Sequence, residues 1–138
     1  MKGVIMDAGP LVAWFCTKDS HNAWAEQIFE QLPAGTLVCE AVLTEACHLA
    51  AKDGVAPAEI LQLVENNDLT LVSLVGEISR IRELLIRYAD TPMDFADACV
   101  VRLAELFPEA TVCTTDGHFK FFRKHERESI SLLAPFTA

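Results

Sequence analysis

Four carboxylates in this chain are embedded in apolar sequence, and they limit what the chain can fold into. Asp7 closes Val4-Ile5-Met6, and Glu45 is the only formally charged residue from Ala41 to Ala51. Asp97 precedes Ala98-Cys99-Val100-Val101, and Asp116 follows Thr111-Val112-Cys113-Thr114-Thr115. An acid carried into a core is costly unless it is paired or bound to a cation. Because the four are spread over the whole chain, they point to a fold that gathers them at one shared metal site.

The rest of the sequence alternates short β-like runs with longer helical ones. Strands are expected at 3–6, 36–39, 69–74, 110–114 and 130–133. Helices are expected from Gly9-Pro10 through Phe15, over 22–32, 41–52 and from Pro57 to about Asn66, over 77–88, and from Thr91-Pro92 to Leu106. Pro at a first helical position and Asp-Gly or Pro-Ala-Gly at the ends supply starts and stops. Helical spacing puts Ile60, Leu61 and Val64 on one inner stripe, and Ile78, Ile81, Leu84, Leu85 and Tyr88 on another. A short helix is expected at 118–123. Strands alternating with helices imply an α/β domain with a mainly parallel sheet.

At 138 residues and 51% hydrophobic composition, the chain can bury a sizeable core as a single domain over 1–138. No apolar run approaches the roughly 18–20 residues that span a bilayer. The start, Met1 to Asp7, is too short and too soon acidic for a secretory signal, so a cytoplasmic protein is expected. Five cysteines without a C-x-x-C pair fit reduced core residues, and four histidines show no zinc spacing. The net charge of −9 argues against broad nucleic-acid binding through a basic surface. It leaves room for an enzyme that holds nucleic acid through metal ions, and for a basic protein partner.

Open α/β sheets form their sites outside the carboxyl ends of the strands. Asp7 and Asp116 each fall at such an end. Asp94 and Asp97 share a helix face near a helix start, where the dipole favours anions. Glu45, one turn into its helix, can reach the same edge. Oxygen ligands of this kind suit Mg²⁺ and Mn²⁺. No Ser-His-Asp order, Walker A loop or G-x-G-x-x-G supports another mechanism. Plainer roles stay open at each position: Asp7 and Asp116 as turn residues, Glu45 as a solvated helix residue, and Asp94 in a capping box with Thr91. Asp97 lies beyond the capping positions of a helix that starts at Thr91.

These segments resemble the PIN-domain family, in particular its VapC-type toxin ribonucleases. The resemblance rests on Val4-Ile5-Met6-Asp7-Ala8-Gly9-Pro10, Leu43-Thr44-Glu45-Ala46, Met93-Asp94-Phe95-Ala96-Asp97-Ala98 and Thr114-Thr115-Asp116, with Phe119 following. It covers nearly the whole chain, in order. It implies a three-layer α/β/α sandwich with a central, mainly parallel sheet. It also implies Mg²⁺- or Mn²⁺-dependent hydrolysis of RNA, often by a homodimer, and in the toxin reading a basic antitoxin partner. Asp7, Glu45, Asp97 and Asp116 carry over as the catalytic, metal-binding quartet, with Asp94 as an outer or water-mediated ligand. Thr114 would stand behind Asp116 and orient it. One departure is Gly9, where many members carry Ser or Thr.

Near the last acid lies a cationic cluster of Lys120, Arg123, Lys124 and Arg127, with His118 and His125 and diluted by Glu126 and Glu128; Lys120, Arg123 and Lys124 are candidate RNA-backbone contacts, with a solvated helix face as the alternative. Two other functions compete. A binding module on the same fold would hold a cation or basic peptide without turnover, and a housekeeping nuclease would cut RNA without an antitoxin. A phosphatase of the haloacid-dehalogenase type fits less well, because it usually wants a second Asp where Gly9 stands.

Overall fold

In the computed structural model, which describes residues 3–137, five short parallel strands form the centre of the chain. In chain order the elements are β1 (Val4–Met6), α1 (Ala8–Phe15), α2 (Asn22–Gln31), β2 (Thr36–Val38), α3 (Glu40–Ala50), α4 (Pro57–Glu65), β3 (Leu69–Leu71), α5 (Ile78–Arg87), α6 (Phe95–Leu106), β4 (Thr111–Cys113), β5 (Arg123–Lys124), β6 (Glu128–Ser129) and β7 (Leu132–Leu133). The sheet order is β3-β2-β1-β4-β7, and every pairing is parallel. Connections first run outward from β1 to β2 and β3, then return past β1 to β4. Parallel crossovers of this kind are right-handed as a rule, so runs in opposite directions put helices on opposite faces. The result is the α/β sandwich expected from the alternating pattern.

Val4, Ile5 and Met6 are buried on both faces, which is why they form a continuous apolar run instead of an alternating one. They align with Thr111, Val112 and Cys113 of β4. The reversal of strand order falls between these two central strands. That makes the crevice beyond their carboxyl ends the natural place for a site. α1 packs against α2 and α3, α5 against α6, and α3 also meets α6.

Several local expectations need correction. Leu61 and Ile78, expected on inner stripes, are 48% and 56% exposed. α6 begins at Phe95 rather than at Thr91-Pro92, because the Met93 N–H turns back onto the Thr91 carbonyl (2.7 Å) and Asp94 becomes the N-cap. The helix expected at 118–123 is a 3₁₀ turn over Gly117–Lys120, followed by the β5–β6 hairpin. None of the helices among the described residues is long and apolar enough to cross a membrane.

Candidate metal centre at the sheet edge

Asp7 leaves β1 directly into α1, with its backbone N–H on the Cys113 carbonyl at 3.0 Å. The parallel register therefore puts it beside Thr114. The Thr114 hydroxyl donates to Asp7 Oδ2 at 2.7 Å and accepts the Asp116 backbone N–H at 2.9 Å. Thr114 thus orients the first acid's carboxylate. It touches the fourth acid only through its backbone, which corrects the expected pairing with the Asp116 side chain. The Asp116 carboxylate faces His118, accepting its backbone N–H at 2.9 Å and lying 2.8 Å from its Nδ1. The turn role open to Asp116 is therefore real, and it accompanies the placement at the strand end.

Asp94 and Asp97 cap each other. Asp94 Oδ1 accepts the Asp97 N–H (2.8 Å), and Asp97 Oδ2 accepts the Asp94 N–H (3.1 Å). The capping box involves Asp97, not Thr91, so Asp97 stands within the first turn of α6 and not beyond it. Asp94 is exposed, whereas Asp97 is half-buried. Glu45 arrives from α3 and lines the same cleft as Asp94. Glu45, Asp94, Thr44, His48 and Phe95 line an open cleft of about 450 Å³.

The five acids feel one another. Burial raises Asp7 to about 6; the Thr114 hydroxyl and Ala8 N–H pull it down, while Asp116 and Asp94 push it up. Burial raises Glu45 to about 7, with repulsion from Asp94, Asp7 and Asp116 adding to the effect. Asp97 is also driven upward, by burial first and then by Asp94, Asp7 and Asp116, against the Asp94 N–H. Among the described residues no Lys or Arg pairs with any of the five, and the one basic side chain in contact with them is His118, beside Asp116. A cluster of hard oxygen donors with no protein cation among them fits a divalent cation. The fit is one of donor chemistry and charge. Among the described residues no three His, Cys, Asp or Glu side chains stand close enough together to hold a metal ion as they are placed.

The three expected RNA contacts differ in how far they are committed within the protein. Lys124 is buried, and its ammonium is held by the Pro108 carbonyl at 3.0 Å. Pro108 follows the C-terminus of α6, whereas the acids stand at its N-terminus, roughly 18 Å away for a 12-residue helix. Lys124 is therefore not a free cation at the site, contrary to the sequence expectation. The Arg123 guanidinium folds back onto the Lys120 and Phe122 carbonyls at 2.8 and 3.0 Å. Lys120 stays exposed, with its ammonium 4.7 Å from the centre of the Phe136 ring. The contact that sequence reasoning missed is His118; its position two residues after Asp116 was the available signal.

Neither a protein-family model nor a curated protein matches the chain by sequence. Among solved structures, it is similar to VapC20 of Mycobacterium tuberculosis, a sarcin-ricin loop cleaving toxin. The TM-score is 0.76 over 83% of this chain and 91% of that one, at 14% sequence identity. With its parallel five-stranded sheet and helices packed on it, the chain shares the fold of VapC20, a PIN-like α/β sandwich.

Proposed function

We propose that this protein is a VapC-like, metal-dependent endoribonuclease that hydrolyses RNA phosphodiester bonds. The observation that carries the reading is the set of uncompensated carboxylates at the β1–β4 edge of this fold. Asp7, Glu45, Asp97 and Asp116 would hold Mg²⁺ or Mn²⁺, with Asp94 reaching it through water. A divalent cation bound there supplies acidified water and neutralises charge on the phosphate.

The chain's own residues do the remaining work. Thr114 fixes the Asp7 carboxylate, and the Asp94–Asp97 box fixes the start of α6. Glu45, raised to about 7 without a cation, would be held ionised by a divalent cation bound beside it. Burial of Asp7 and half-burial of Asp97 strengthen their attraction for a cation.

In the same proposal the protein is a cytoplasmic toxin. A basic antitoxin segment would neutralise the acid cluster, with an Arg among the carboxylates as the natural counter-ion. The protein would also form a homodimer, for which exposed Val75, Ile78 and Ile86 offer apolar surface. Light scattering on the purified protein tests the dimer.

The nuclease reading is tested by incubating structured RNA with Mg²⁺ or Mn²⁺ and wild type, Asp7→Asn or Asp97→Asn. Metal-dependent cleavage by wild type alone is expected. Equal cleavage by all three would assign the activity to a contaminant or another site. A binding module without turnover is the second reading: the same acids would hold a cation or a basic peptide without hydrolysis. It predicts metal-dependent RNA or peptide binding with no products.

A further inference from the structure

Thr115 stands between Thr114, which holds Asp7, and Asp116. Across the sheet edge it meets Gly9, in the first turn of α1. A Cβ added at Gly9 would run into Thr115 Oγ1 and come within 3.2 Å of Thr115 Cβ. Gly9 does not have the positive φ that calls for glycine, unlike Gly35 and Gly54. Glycine in a helix is unfavourable by about 1 kcal/mol relative to alanine. Its place here is therefore explained by the close approach alone: bare backbone makes room for the Thr115 side chain.

The hydroxyl so accommodated is idle within the protein. Thr114 Oγ1 makes two hydrogen bonds, whereas Thr115 Oγ1 makes none among the described residues. Thr115 is half-buried, and no fully buried side-chain polar atom among the described residues lacks a partner. Its oxygen consequently reaches solvent, on the edge that carries Asp7 and Asp116. The carboxylates beside it can only accept hydrogen bonds when ionised, and they repel a phosphate. A neutral hydroxyl can donate to an anionic oxygen without adding negative charge. Lys124 is occupied elsewhere, and Arg123 is folded back.

We propose that Thr115 is a substrate-contacting residue, its Oγ1 donating a hydrogen bond to a non-bridging oxygen of the RNA phosphate, and that Gly9 exists to admit it. The inference rests on the nuclease reading. It is tested with Thr115→Val, which keeps the shape, and Thr115→Ser, which keeps the hydroxyl. Thr115→Val should lower kcat about tenfold, the typical effect of losing one hydrogen bond to a charged group, with Mn²⁺ affinity and melting temperature unchanged. Thr115→Ser should stay within about threefold of wild type. In parallel, Gly9→Ala should melt lower than wild type, and Gly9→Ala combined with Thr115→Ala should recover.

Wild-type kcat in Thr115→Val, or Thr115→Ser as slow as Thr115→Val, would overturn the substrate contact while leaving the nuclease reading intact. Gly9→Ala melting like wild type would overturn the role of Gly9. A wild type that does not cleave RNA would overturn both the reading and the contact.

Discussion

Replacing Asp7 by asparagine should stabilise the metal-free protein at neutral pH. Asp7 is 5% exposed, so solvent screens little of its burial cost. Its carboxyl is raised from 3.8 to about 6, chiefly by that burial. At about 1.4 kcal/mol per pH unit, ionised Asp7 costs the fold about 3 kcal/mol. The sign follows from linkage. Between the unfolded and folded values the native state holds more protons, so stability falls as pH rises from about 3.8 to about 6 and stays low above. Asparagine keeps an oxygen to accept the Thr114 hydroxyl and never ionises. Allowing for the cost of burying its amide, a gain of roughly 1–3 kcal/mol is expected at pH 7.5, or about 4–12 °C in Tm. Thermal melts in chelator from pH 4 to 8 are the assay. The difference between variant and wild type should shrink towards zero near pH 4. A variant no more stable than wild type at pH 7.5, or a gain independent of pH, would refute the reasoning.

Other perturbations have equally definite outcomes. Glu105 is buried and accepts from Arg80 at 2.7 and 3.0 Å, Arg102 at 3.1 Å and the His125 N–H at 2.7 Å. Glu105→Gln should therefore cost about 3–5 kcal/mol in denaturant melts, as expected when one partner of a buried ion pair is removed. Burial alone would raise Glu105, but the Arg80, Arg102 and His125 contacts hold it at about 2. Its contribution should thus be present above pH 4.5 and fade as pH falls towards 2. Lys124→Ala should lower Tm, through loss of the bond to Pro108, while leaving RNA affinity and its salt slope unchanged. Asp94→Ala should cost about 1 kcal/mol as a lost helix cap, measurable by the same melts.

The sheet and the acids were legible because their signals are local. Asp7 ends a buried strand and Asp116 follows another, so a parallel register brings them to one edge without further information. Glu45 and Asp97 were legible as charges in apolar helical runs. What stayed hidden depends on contacts distant in sequence. Thr91-Pro92 has the composition of a helix start, yet α6 begins where Asp94 and Asp97 exchange hydrogen bonds. The β5–β6 hairpin carries positive φ at His125 and Glu126, with no glycine or asparagine to announce it. Its turn is held by Glu105, which accepts the His125 N–H, and by Arg80, which pairs with Glu126 at 2.9 Å. The same rearrangement moved Lys124 away from the acids. Thr114 was recognised as a supporting group, but the register determines that it serves Asp7.

The most direct test of a single shared centre is calorimetric titration of Mn²⁺ into wild type, Asp7→Asn, Glu45→Gln, Asp97→Asn and Asp116→Asn. One cation site built from these four carboxylates predicts that every substitution weakens the same binding event, by about tenfold or more. Wild-type Mn²⁺ affinity in any of the four variants, or no Mn²⁺ binding by the wild type, would contradict it.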